Sequence, residues 1–257
     1  MKKTFKFEVL TGIQHTKSLQ QVTITENDLR HLPPIVNKYL HYAGVVGKEK
    51  VINMRAVFEG RIRSNPEDGW MKLTAEQYSF FDGPTRIFYI KARKFGFPVL
   101  GLHLYKNQKA SMVIKLLGLI KVVDAKGPQM DQGETVTVLN DMCLLAPSTL
   151  IDKSIQWESV NSLSAKAIYT NGKITIGATL SFNQEGKLLN FVSNDRFETD
   201  GKTYKSYPWL TPIKEYGKFH GFLLPCEIST DSQRPDMTFT YGEWKLKELE
   251  YNLKNIL

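Results

Sequence analysis

Residues 51–63, VINMRAVFEGRIR, decide the fold. Ile52, Met54, Ala56, Phe58 and Ile62 alternate with Asn53, Arg55, Val57, Glu59, Arg61 and Arg63. A period of two puts successive side chains on opposite faces, so this is a strand with one buried and one wet face. Moving outward, strand-like runs follow at 70–81, 86–93, 99–105, 110–117 and 119–124, parted by Asn65 to Gly69, Asp82-Gly83-Pro84, Gly96 to Pro98, Asn107 and Gly118. A second series begins at 165–170. Asn171-Gly172, a strong two-residue hairpin signal, turns it into 173–182. Further strands are predicted at 187–197, 202–207, 222–230, 237–241 and 244–253. Strands follow strands without intervening helices, which predicts a mainly β, antiparallel protein. A sheet of about ten strands or more curls or splits, so the expected form is a large curved sheet, an open half-barrel.

Two helices interrupt this pattern. Pro33 and Pro34 suit a first helical turn. Ile35, Val36, Tyr39, Leu40 and Ala43 then recur at helical spacing up to Gly44, which predicts a helix over 33–42. Gly127-Pro128 stops the strands, and Val136, Leu139, Met142 and Cys143 give one apolar face to a helix near 132–145, ended by Pro147. Both helices are expected on the concave face. Residues 1–24 carry no strong pattern and read as a strand or tail; 25–257 read as one domain.

The chain has 257 residues, 42% of them hydrophobic, and only two cysteines. That suits a large core without disulfide staples, with Cys143 and Cys226 as free thiols. The opening MKKTFKFEVL has basic residues but no apolar core of a signal peptide, and no run of 18 apolar residues follows. The expected location is the cytoplasm, with association to a membrane surface left open. The 34 basic and 26 acidic residues leave a charge of +8, and segment 83–126 holds nine basic residues against one acid, Asp124. The whole excess lies there. Such a segment either faces solvent or meets an anionic membrane surface, an acidic ligand or nucleic acid, the last disfavoured because no RNA-binding signature is present.

No nucleotide fingerprint, phosphate loop or nucleophile elbow occurs, and no His or Cys has a partner at metal spacing. No cofactor or metal is expected. Two functional classes remain. One is a binding module for a hydrophobic or amphipathic small molecule or lipid in the concavity, with Trp70, Trp157, Trp209 and Trp244 available to line it. Its polar anchors would be Glu76, Arg93, Lys115 and Arg196. The other is an enzyme using Glu76, Asp124, Glu134 or Asp141 as acid or base. Glu134 and Asp141 lie two turns apart on one helix face.

The blocks LPPIVNKYLHYAGVVG (32–47), WMKLTAEQYSF (70–80), RIFYIKA (86–92), PVLGLHLY (98–105), MVIKLLGLIKVVDAKGPQMDQGE (112–134), LNDMCLLAPSTLI (139–151) and LSFNQEGKLLNFVSNDRF (180–197) resemble, in this order, an uncharacterised bacterial family, a domain of unknown function. The resemblance spans about residues 30 to 253 and implies no established activity. Many members of that family carry an N-terminal membrane-spanning part before this region, and none is expected here. The strand pattern also resembles the LolA/LolB-like lipoprotein-carrier architecture, which implies a half-barrel with helices in its mouth.

Overall fold

In a computed structural model, which describes residues 1–199 and 203–256, the alternation beginning at Val51 becomes a continuous meander. Strands β1 (Asn53–Ile62), β2 (Met71–Phe80), β3 (Thr85–Lys94), β4 (Phe97–Lys106), β5 (Lys109–Leu116) and β6 (Ile120–Lys126) pair in sequence, all antiparallel. A second meander follows: β7 (Ile155–Asn161), β8 (Ser164–Asn171), β9 (Ile174–Phe182) and β10 (Leu188–Ser193). Short strands β11 (Phe197–Thr199) and β12 (Tyr204–Ser206) form a separate ribbon, and β13 (Trp209–Leu210), β14 (Ile213–Phe219), β15 (Phe222–Gln233) and β16 (Thr238–Tyr251) complete the set. The main sheet has 14 strands in the order β6-β5-β4-β3-β2-β1-β16-β15-β13-β10-β9-β8-β7, with β14 beside β15. The chain's last strand thus pairs with its first, Phe58 opposite Leu246. That pairing joins the two meanders into one curled half-barrel.

Among the described residues three α-helices accompany the sheet: α1 (Lys2–Thr16), α2 (Pro34–Tyr42) and α3 (Pro128–Leu145). The expected strand or tail at the N-terminus is instead helix α1. Its contact stripe is narrow: Phe5, Val9 and Ile13, one residue per turn, with Lys6 and Glu8 between the first two, so no broad apolar face announces it. The stripe packs on the convex face, against Tyr78, Phe80, Ile87, Tyr89 and Leu102. Helix formation here comes from tertiary packing more than from local pattern.

Helices α2 and α3 lie on the concave side. Tyr39 of α2 is buried and donates to the Cys143 carbonyl of α3 at 2.6 Å. Helix α3 departs from the expected single apolar face, because the sheet wraps it and nearly all of it is buried, acids included. Val136, Leu139 and Met142 meet the main core. The opposite stripe, Glu134, Thr137, Asn140, Asp141 and Leu144, faces a cavity.

Cys143 is buried and Cys226 half-buried, both free, and burial pushes the Cys143 thiol far above its ordinary value. Thiolate is the reactive form. A thiol reagent should therefore label the native protein at Cys226 alone and two thiols after denaturation. Rapid labelling of both in the native state would contradict this packing.

Candidate ligand cavity

Parity along the strands builds the site. On β3, Arg86, Phe88 and Ile90 point to the concave side, while Ile87 and Tyr89 point to α1. On β5, Met112 and Ile114 point inward; on β4, His103 does, beside Phe88 with ring centroids 6.0 Å apart. Phe58 and Ile62 of β1 and Trp244 and Leu246 of β16 continue the wall, and α3 closes it. The cavity volume is about 630 Å³, with mostly apolar lining and an opening to solvent. That lies within the range of small-molecule sites, roughly 300–1,000 Å³.

At its floor sits a buried polar cluster. The Arg86 guanidinium donates from Nε to Asp141 Oδ2 at 2.8 Å, from Nη1 to Glu134 Oε2 at 3.2 Å and from Nη2 to Gln77 Oε1 at 3.1 Å. Gln77 in turn donates to Asp141 at 2.7 Å and to Ser79 Oγ at 3.0 Å. His103 Nδ1 lies 3.8 Å from Glu134 Oε1. Burial acts to raise Glu134, but its interaction with His103 and the charge of Arg86 prevail and hold it at about 2. Asp141 goes the other way: burial outweighs Arg86, and the neighbouring Glu134 charge adds to the rise. Nearer the opening, Arg196 donates to Thr137 Oγ1 at 2.7 Å and stacks 4.4 Å over the Trp209 ring. Asn140 donates to Thr211 Oγ1 at 2.7 Å. Among the described residues, no cluster of His, Cys, Asp and Glu could hold a metal ion, and no helix is long and apolar enough to cross a membrane.

The structure gathers some of the expected residues and disperses others. Glu134, Asp141, Trp70, Arg93, Arg196, Trp209 and Trp244 line the cavity. Glu76 does not: it stands on the outer face, where Arg55 Nε reaches it at 2.8 Å. Asp124 is on the edge strand β6, paired with Lys121 at 2.7 Å, and does not join the acids of α3. Lys115 points away from the cavity because its neighbour Ile114 points in. Trp157 donates to the Leu150 carbonyl at 3.2 Å, outside the lining. Two central residues were missed. Arg86 was hidden within a run of surface-like basic residues, and His103 had no motif partner. Their shared parity with the apolar positions 88, 90 and 105 was the available signal.

A family model matches residues 22–244. The chain belongs to DUF6544, a family of unknown function. Among curated proteins none matches it by sequence. This DUF6544 chain is similar in structure to a DUF1329 family protein from Desulfovibrio piger (12% identity, 86% of this chain and 93% of that one, TM-score 0.48). It is also similar to a LolA superfamily protein from Nitrosomonas europaea (8%, 84% and 91%, 0.48). A third is a domain described as a putative outer membrane lipoprotein-sorting protein from Vibrio parahaemolyticus (10%, 77% and 85%, 0.42).

Replacing Arg86 by Met leaves two buried carboxylates facing each other, and breaking a buried pair this way costs about 3–5 kcal/mol. In the wild type, the depressed Glu134 contributes stability at neutral pH that is lost as pH falls from the unfolded value toward about 2. Asp141, shifted upward, contributes in the opposite sense, with its share present at low pH and lost as pH rises through its folded value. Arg86→Met should therefore be most destabilised at neutral pH, and the gap to wild type should narrow as acid protonates both groups. Denaturant unfolding at several pH values measures it; a pH-independent difference would contradict the assignment.

Proposed function

We propose that the protein binds a hydrophobic or amphipathic small molecule, such as a single-chain lipid, inside the half-barrel. One observation carries this reading: a cavity of about 630 Å³ with an apolar wall and its buried ions confined to the floor. An acyl-type tail would lie against Phe58, Phe88, Met112, Ile114, Leu144 and Leu246. A polar head would remain at the opening, near Arg63, Arg93 and Lys94, which line the same cavity. Arg93 and Lys94 have no carboxylate partner among the described residues, so both are available to an anionic head.

The alternative, acid–base catalysis by the four carboxylates, is less well supported by the arrangement. A general acid or base works best with a pKa near the operating pH. Glu134 is held at about 2, Asp141 is engaged by both Arg86 and Gln77, and Glu76 and Asp124 lie elsewhere.

An environment-sensitive naphthylamine probe should bind the purified protein at one site. Ile114→Trp, which fills the cavity without altering its charge, should weaken the probe about tenfold or more, the equivalent of roughly 1.4 kcal/mol, at an unchanged melting temperature. Native mass spectrometry of protein from its own host should show a retained lipid-sized mass. Absence of probe binding together with only the bare chain mass would refute the proposal.

A further inference from the structure

Turn chemistry differs between the two ends of the first meander. At one end, β4 turns into β5 through Asn107-Gln108, with φ of 51° and 62°. Left-handed backbone of this kind suits Asn, whose short polar side chain tolerates it. At the other end the same turn geometry holds Phe95-Gly96 between β3 and β4 (φ 51° and 81°) and Leu117-Gly118 between β5 and β6 (φ 55° and 72°). Bulky apolar residues are outliers in this conformation, and backbone strain of this sort persists where function requires it.

The side chains held there gain no burial in return. Phe95 is 89% exposed and Leu119 80%, and Phe97, Leu117, Ile120 and Val122 are exposed as well. The two tips adjoin, since the Leu117 amide donates to the Pro98 carbonyl at 2.8 Å. Together they make one apolar protrusion, and a contiguous exposed apolar patch marks a surface that meets something. Its surroundings say what. Arg86, Lys106, Lys109 and Lys121 of the basic segment have carboxylate partners. Lys91, Arg93, Lys94 and Lys115, which flank the two tips, have none among the described residues. Lys91 and Lys115 stand either side of Leu100 on the outer face. Arg93, Lys94 and Phe95 also belong to the cavity's opening.

We propose that the Phe95 and Leu117 hairpin tips insert into the interface of an anionic lipid bilayer, with Lys91, Arg93, Lys94 and Lys115 meeting the lipid phosphates. Apolar side chains enter the boundary between headgroups and acyl chains, while unpaired cations are drawn to the phosphates of an anionic surface. Acidic soluble proteins are disfavoured as the occupant, because the apex itself is apolar and only its flanks are charged. The proposal does not require the cavity to bind lipid; where it does, the tips would bring its opening to the membrane.

The test is co-sedimentation of the full chain with phosphatidylcholine vesicles, with and without phosphatidylglycerol, at low and high salt. The wild type should sediment with anionic vesicles in preference to neutral ones, and added salt should weaken binding without abolishing it, since screening acts on charge alone. Phe95→Asn with Leu117→Asn places in both turns a residue suited to their backbone, so the melting temperature should hold or rise while vesicle binding falls about tenfold or more, the scale of exposing two large apolar side chains. Lys91→Glu with Lys115→Glu should remove the anionic preference. Ile114→Trp should leave vesicle binding intact, which separates failure of this proposal from failure of the cavity reading. Equal binding to neutral and anionic vesicles, no sedimentation with either, or undiminished binding by the double Asn variant would each overturn it.

Discussion

The Arg86 guanidinium, buried between Glu134, Asp141 and Gln77, is the interaction on which the site depends. Among the described residues it is the only cation that touches both Glu134 and Asp141 of α3, and those two acids lie inside a half-barrel where an unpaired charge is very costly. A well-packed apolar replacement of such a cluster is often no less stable. What the pairing specifies is position. Two carboxylates two turns apart on α3 meet one forked donor on β3, and this sets both the rotation of the helix and its height above the sheet.

That placement produces the cavity. Helix α3 packs Val136, Leu139 and Met142 into the core formed with the second meander and turns its polar stripe toward the first. The wall opposite is apolar because the inward parities of β1, β3, β5 and β16 carry Phe58, Phe88, Ile114 and Leu246. Space remains because one face of the helix is satisfied by a single ion cluster and not by close-packed side chains. On the convex side α1 covers Tyr78, Phe80, Ile87 and Tyr89, so the first meander is buried on both faces near its middle, while its tips and its edge strand β6 stay exposed.

Period-two alternation, helical spacing and turn residues were legible without coordinates, and they placed most of the long strands, the Asn171-Gly172 hairpin and the two inner helices, but not β7 (Ile155–Asn161), which was not expected. Weak elements were not. Strand β14 lies between Pro212 and Gly221 with no clean alternation, and β13 is two residues held by Phe191 and Trp209 packing. The ribbon of β11 and β12 overlaps a predicted strand at 202–207 whose first residue, Lys202, lies outside the described ones. Helix α1 was invisible because its stripe is one residue wide and its partner surface is 60 residues or more away in sequence.

By itself the sequence determined which positions along each strand face together, since parity is a local property of the pleat, and it determined that the charge excess lies between 83 and 126. Which of two parities became the inside was decided only by the tertiary structure. That choice follows from where α1 and α3 settle, one on each face, and it sent Arg86 inward to two acids while sending Glu76 and Lys115 out. The same holds for the basic segment: its composition was visible, but only folding paired four of its cations and left those flanking Phe95 and Leu117 free, because a carboxylate from α1, α3 or β6 came within reach of some and not of others.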